Sequence, residues 1–486
     1  MSTLLLSPIL IPLATALLTA MTMRQARLQQ LISLIGIGAF FVSATLLLLG
    51  VLEKGSVVVT LGGWPAPFGI EFVGDLLGVG MVAITALMGA CALLFQYSSE
   101  TDSAEVSGAL APLVHGLLAG VSGAFLTGDI FNLYVWFELM LVTALGLLAY
   151  RGSLSQLEAT FKYFVLNTMG TLLLLMGIAF LYSATGHLSF RALHLATEGG
   201  ASVALFPVIA MIALAFLVKA ASFPVFAWLP ASYHTLPAPI LVLFAGLLTK
   251  VGIYGLMRLL GEVFPLTPDV FFVFLKWVAA ATMLVGVLGA AYHWHIKRIL
   301  AFHSISQIGY MLLGISLDSH AGYVATLVYV LHHSVVKVNL FLVGAMVYRK
   351  CGSYDLRQCG GLYARSPGLA LLFALSALSL VGVPPLSGFW AKVLVLNEAI
   401  GQEEYVLAVI ALFVGLLTLY SMTKIWFEAF WKRHPDEAWA APAVGGLAPA
   451  YVVTLALTLL TVGIGLMPEP FVHYAQMATA HFLGAK

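Results

Sequence analysis

Five ionisable side chains sit inside otherwise apolar runs: Glu138 in YVWFELMLV, Lys219 in AFLVKAASF, Lys250 in AGLLTKVGIYG, Lys337 in HHSVVKVNLF and Lys392 in GFWAKVLVL. Four of them are lysines. An ammonium removed from water holds its proton less tightly, which makes release near neutral pH feasible, and an acidic neighbour reverses the effect. A lysine whose acidic partner moves closer or farther is therefore a proton site with two settings. Glu138 is the one acid deep in such a run, so Lys219 is its candidate counterpart. The competing reading is a structural ion pair that fixes helix packing. His332 and His333 precede Lys337, and His333, Lys337 and Tyr329 share a helix face at four-residue spacing. Histidine titrates near pH ~6.5 and relays protons through either ring nitrogen. A histidine merely hydrogen-bonded to a neighbouring helix is the plainer alternative. Lys250, Tyr254 and Arg258 share another face. Adjacent histidines without a carboxylate do not match a metal site.

What must position these groups follows from composition. Hydrophobic residues make up 61% of the 486 residues and charged ones 9%, against roughly a quarter charged in soluble domains. The mean hydropathy of +1.02 has the same origin. Most of this chain is solvated by lipid. The net charge of +1 points to no nucleic-acid partner. Cys91, Cys351 and Cys359 form neither a disulfide framework nor a CxxC-type metal site. Arg24 and Arg27 follow the first apolar run rather than preceding it, so that run is expected to stay as a spanning helix.

Apolar runs of about 18–25 residues, enough to cross ~30 Å of hydrocarbon, recur along the chain. They predict helices near 4–21, 31–52, 73–97, 109–127, 129–150, 158–183, 203–231, 237–260, 268–291, 298–316, 321–349, 369–402, 404–431 and 445–467. The expected fold is an all-α membrane protein of fourteen transmembrane helices. Helices rather than a barrel follow because each helix satisfies its own backbone in lipid. Loops after odd-numbered spans, with adjoining helix ends, carry Arg24, Arg27, Arg151, Lys162, Lys297, Arg298, Arg349, Lys350, Arg357, Arg365, Lys432 and Arg433. The other side carries Lys54, Arg191, Arg258 and Lys486. Twelve against four places the first set in the cytoplasm and both termini outside.

Two spans are interrupted. The seventh reads FLVKAASFPVFAWLP around Pro224; the twelfth reads SLVGVPPLSGFWAK, with Pro384, Pro385 and Gly388. Proline lacks an N–H and clashes with the carbonyl four residues back, so freed carbonyls are expected at Ala220, Leu380 and Val381. Paired interruptions five spans apart are the trace of an inverted repeat around a transport path; simple proline kinks are the alternative. The expected division is 1–108 (three N-terminal helices), 109–260 (first repeat), 268–431 (second repeat) and 445–486 (last helix and C-terminus). Other charges have local explanations. Lys424 and Glu428, four apart, are expected to pair or snorkel, and Lys276 to snorkel. Asp129, Glu71 and Asp75 stand where helix dipoles favour acids.

GAFLTGDIFNLYVWFELML, FLVKAASFPVFAWLP, GLLTKVGIYGLMR, KRILAFHSISQIGYM, HHSVVKVNLFLVGA and GVPPLSGFWAK resemble the antiporter-like subunits shared by Mrp-type multisubunit Na+/H+ antiporters, respiratory complex I and membrane-bound hydrogenases. LGGWPAPFGIEFVGDLL and GLLTLYSMTKIW are most similar to the D type of Mrp subunit. The resemblance implies fourteen helices with two inverted five-helix repeats and broken helices 7 and 12. It implies that Glu138 and Lys219 form an essential pair and that Lys250, Lys337 and Lys392 match the family's other buried positions. It also implies proton transport without a redox cofactor, in the prokaryotic inner membrane. The partners it implies are further membrane subunits, protons and a monovalent cation, Na+ being the expected one. An equivalent subunit of a hydrogenase or quinone-linked complex, and a non-conducting structural subunit, remain alternatives.

Overall fold

The computed structural model describes residues 2–64, 69–97, 108–197, 205–436, 439 and 448–483. Lys486, residues 65–68 of the early motif, and the starts of two expected spans at 203–204 and 445–447 lie outside the described residues. The apolar runs fold as helices α1 (Ser2–Met21), α2 (Ala26–Lys54), α3 (Leu76–Gln96), α4 (Leu110–Leu126), α5 (Ile130–Ala149) and α6 (Leu154–Thr185). A short helix α7 (Phe190–Thr197) follows, then α8 (Phe206–Ala220) and α9 (Trp228–Tyr233). The second half holds α10 (Ala238–Val263), α11 (Asp269–Tyr292), α12 (Ile296–Ser316) and α13 (His320–Cys351). It ends with α14 (Pro367–Val381), α15 (Ser387–Gly401), α16 (Tyr405–Trp431), α17 (Ala448–Leu466) and α18 (Glu469–Phe482).

Eleven of these helices are long and apolar enough to cross a membrane, and α4, α8 and α14 are shorter apolar helices. Three elements were not legible in the sequence, the short α7 among them. β1 (Val57–Thr60) pairs antiparallel with β2 (Glu71–Gly74), and the amphipathic α18 closes the chain.

Local chemistry sets the helix ends. The side chains of Asp75, Asp129, Ser153 and Ser319 accept backbone N–H groups at the starts of α3, α5, α6 and α13, relieving donors that have no partner inside the helix. The two 32-residue helices α6 and α13 both stop at a left-handed glycine, Gly186 at φ 71 and Gly352 at φ 77, a conformation that costs glycine nothing. α10, α12 and α13 are almost wholly buried, whereas α1, α2, α6 and α16 turn most of their length outward. Their outer faces carry Leu31, Ile35, Leu46, Phe161, Met169, Leu412 and Leu416, all exposed. Such a belt is stable only against lipid or apolar partners.

Both expected interruptions are present. α8 ends where Ala221 turns left-handed at φ 61, and the chain resumes as α9; α14 ends at Gly382, φ 94, and resumes as α15. The Phe223–Pro224 and Pro384–Pro385 peptides are cis. Gly388 is required by closeness rather than by φ. A Cβ there would lie 1.8 Å from the Ser379 carbonyl oxygen and 2.9 Å from the His332 ring.

Candidate functional site

Lys219 is the penultimate residue of α8, two before the left-handed Ala221 of the first break, and is buried. Its ammonium lies 5.4 Å from the centroid of the Phe137 ring on α5, a cation–π arrangement. Glu138, the next residue on α5, acts on it through space, but the two make no ion pair within 4.0 Å among the described residues. Glu138 is only half-buried and acts on the Tyr134 hydroxyl one turn earlier. At the end of α8 the Leu217 and Val218 carbonyls take the backbone N–H groups of Ser222 and Ala221, both at 3.1 Å, and each gains a side-chain donor as well. They accept from Ser222 Oγ (3.1 Å) and Trp228 Nε1 (2.9 Å).

At the second break the lysine does this work itself. Lys392 Nζ, on the second turn of α15, donates to the Val381 carbonyl at 2.7 Å and lies 5.1 Å from the Tyr310 ring. Val381 is one of the expected freed carbonyls. Lys392 also borders a cavity of about 320 Å³ with Gly382, Tyr310, Ala411 and Gly415.

Between the breaks runs a buried line of cations and imidazoles. Lys250 on α10 donates to the Ala245 carbonyl, inside a stretch where the helix widens to a π-turn at Phe244–Leu248; such bulges often mark functional positions. On α13, the Lys337 ammonium and both ring nitrogens of His333 are buried without hydrogen-bond partners among the described residues. Lys250 and Lys337 both act electrostatically on His333, Lys337 and Lys392 both act on His303, and Lys392 also acts on His332. The order Lys250, His333, Lys337, His303, Lys392 alternates ammonium and imidazole from α10 to α15. His332 Nδ1 lies 2.7 Å from Ser387 Oγ, which continues into a hydroxyl cluster with Ser379 and Thr461.

The structure thus brings Lys250, His333, Lys337, His332 and Lys392 together, and packs the end of α8, which carries Lys219, against α10 next to the Lys250 turn. His303, Gln307 and Tyr310 on α12 were missed by sequence reasoning. Gln307 Oε1 accepts from the Tyr329 hydroxyl (2.5 Å), Tyr329 stacks on Tyr310, and His303 Nε2 meets Ser421 Oγ (2.6 Å). The available signal was their spacing, four and three residues apart, which puts them on one face of an apolar helix.

Several edge charges behave differently from expectation. Lys424 donates to the carbonyls of Ala291 and His293 (2.7 and 2.6 Å), while Glu428 pairs with Lys432. Lys276 pairs with Glu404 at 2.5 Å rather than snorkelling. In the loop between α11 and α12, burial pushes the His295 imidazole down to about 4, helped by nearby Lys297. The adjoining loop holds Asp355 below its usual range through a hydrogen bond from Arg357. Cys359 is fully buried there, its thiol directed at the carbonyls of Ser353 and Asp355, whereas Cys351 is only partly covered.

Apolar helices broken beside buried lysines, in a bundle that presents a greasy belt, define a multi-pass membrane protein built to carry ions. The transmembrane family model described as NADH:quinone oxidoreductase/Mrp antiporter matches residues 127–418, and the chain belongs to that family. It is 39% identical to the D-type subunit of the Na(+)/H(+) antiporter of Alkalihalophilus pseudofirmus, over 98% of this chain and 96% of the relative. It is 34% identical to the corresponding D-type Na(+)/H(+) antiporter protein of Bacillus subtilis, over 94% and 93%. Among solved structures it is similar to a chain of the Mrp complex from a Dietzia species, with TM-score 0.89, 30% identity, and 99% and 98% of the two chains covered. A chain of the membrane-bound sulfane sulfur reductase, an archaeal respiratory membrane complex, is similar with TM-score 0.90, 26% identity and the same coverage.

Proposed function

We propose that this chain is the proton-translocating subunit of a multisubunit monovalent cation/proton antiporter in a bacterial cell membrane. The observation that carries the reading is the alternation of buried ammonium and imidazole groups from Lys250 through His333, Lys337 and His303 to Lys392. A fully buried ammonium and imidazole without hydrogen-bond partners are costly as packing elements, yet they suit a relay in which each site must accept and release a proton. Glu138 and Lys219 gate the relay, since a change in their separation changes how tightly Lys219 holds its proton. The reading takes fourteen spans, with repeats at 109–260 and 268–431 flanked by 1–108 and 445–486. Both termini lie outside, and the breaks at Pro224 and at Pro384, Pro385 and Gly388 line the path. The relatives named as D-type antiporter subunits support partnership with further membrane subunits and exchange against Na+. No step requires a cofactor.

A second reading, the equivalent proton-pumping subunit of a respiratory complex, draws on the likeness to the sulfane sulfur reductase chain. Higher identity and near-full coverage with the D-type relatives favour the antiporter. The test is cation-dependent proton movement by the complete complex in everted vesicles. His333→Ala, with the complex assembled, should lose most of it. Full activity in that variant would exclude the relay, and loss of assembly would favour a structural role.

A further inference from the structure

A second site lies apart from the relay, on the side opposite the arginine-rich loops. The β1–β2 hairpin, α7, the end of α10 and the C-terminal α18 enclose a cavity of about 570 Å³. Its floor is ionic. Arg258 reaches Asp75 and Glu262, each at 2.6 Å, with Arg258 and Asp75 almost fully covered and the Glu262 side chain 27% exposed to the cavity. Asp75 is committed on both sides, since it also caps α3 through the Gly78 N–H at 2.8 Å. Glu262 is the one member of the triad that meets both the cavity and the buried guanidinium.

The floor points toward the relay. Glu262, Arg258, Tyr254 and Lys250 are spaced by four residues along α10 and so occupy one stripe. Arg258 Nε donates to the Tyr254 hydroxyl at 2.9 Å, and that hydroxyl donates to the Phe125 carbonyl at 2.7 Å. The polar line from the cavity therefore ends one turn from Lys250.

We propose that this cavity is the outward ion vestibule of the protein and that Glu262 is the carboxylate that exchanges protons with it. The proposal rests on the proton-transport reading above and adds its outer mouth. A hydronium ion in the cavity gives its proton to the Glu262 carboxylate and leaves as water. Neutral Glu262 then loosens its hold on Arg258, which stays charged and stays paired with Asp75, because a guanidinium does not release its proton. Arg258 is a positioning residue, holding Glu262 at the floor. The other titratable groups that line the cavity are Glu71 on β2, Arg191 and His194 on α7, and His481 on α18, while Tyr254 meets Arg258 beneath it. His194 Nδ1 lies 2.7 Å from the Glu262 backbone carbonyl, not from its carboxylate. Glu71 accepts from Ser189 Oγ at 3.1 Å. Among the acids, Glu262 joins the cavity to the α10 stripe, where Arg258 also lines the wall.

The experiment uses the complete complex with Cys91, Cys351 and Cys359 replaced by serine and Ser56→Cys introduced at the cavity wall. A membrane-impermeant methanethiosulfonate applied to intact cells should label that cysteine, and labelling should lower proton transport several-fold. Glu262→Gln should slow transport several-fold and flatten its dependence on outside pH, while Glu262→Asp should keep both. A purely structural triad would instead lower the amount of assembled complex and leave the pH profile unchanged. Failure to label from outside, labelling without effect on transport, or a normal pH profile in Glu262→Gln would each overturn the proposal. Glu138→Ala separates the two readings. It should stop transport but leave labelling intact, so an active Glu138→Ala complex would refute the relay while leaving the labelling result standing.

Discussion

The two broken spans solve the same problem in opposite ways. In α8–α9 the lysine precedes the break, and a neutral indole, Trp228 Nε1, joins the Ala221 N–H on the Val218 carbonyl. In α14–α15 the lysine follows the break and satisfies the Val381 carbonyl with its own ammonium. Lys219 is therefore left with a ring face and a distant carboxylate, while Lys392 is anchored at a fixed point. An ammonium held only by long-range forces responds to any movement of Glu138. One tied to a carbonyl exchanges its proton at a defined position. The difference suits Lys219 to gating and Lys392 to transfer.

The largest effect should fall on the gating side. Glu138→Ala and Lys219→Ala should each abolish cation/proton exchange in everted vesicles while the complex remains assembled. Normal exchange in either would erase the distinction between the two breaks.

Next comes the anchored lysine. Lys392→Ala should impair exchange strongly, and Lys392→Arg should impair it too. A guanidinium still donates to a carbonyl but keeps its proton at any accessible pH. Full activity of the arginine variant would mean that Lys392 is only a cap for the break.

A smaller effect should follow from Trp228→Phe, which removes one of the two donors to the Val218 carbonyl, at about 0.5–1.5 kcal/mol. It should lower the thermal unfolding temperature of the purified complex and reduce exchange only partly. A change in exchange as severe as that of Lys219→Ala would show that the indole, not the lysine, controls the first break.

The smallest effect concerns orientation. With the 349–368 loop in the cytoplasm, an impermeant thiol reagent should leave intact cells unlabelled and label Cys351 in everted vesicles. Cys359, fully buried, should stay protected until the protein is denatured. Labelling of Cys351 from outside would invert the assigned topology, and with it the side on which each break opens.

Much of this was legible in the residues. Continuous apolar runs located the helices to within a few residues, because lipid leaves a spanning backbone no other partner. Proline and glycine located both breaks, and the isolated charges stood out because each is costly in hydrocarbon. Local patterning could not show the β1–β2 hairpin, which forms between segments separated by a loop, or α18, whose apolar face is defined only by the helices it covers.

The sequence by itself determined which groups are candidates, since residue type and apolar surroundings are local properties. Only the tertiary structure decided which candidates meet. His303 joins the line because α12 packs beside α13, and Lys424 turns from Glu428 to two carbonyls because α16 lies against the end of α11. Glu138 and Lys219 remain separated because Phe137, not the carboxylate, faces the end of α8. Hydrogen bonds and charge pairs act over a few ångströms between helices distant in the chain. Their partners are set by how the helices pack, which neither spacing nor composition encodes.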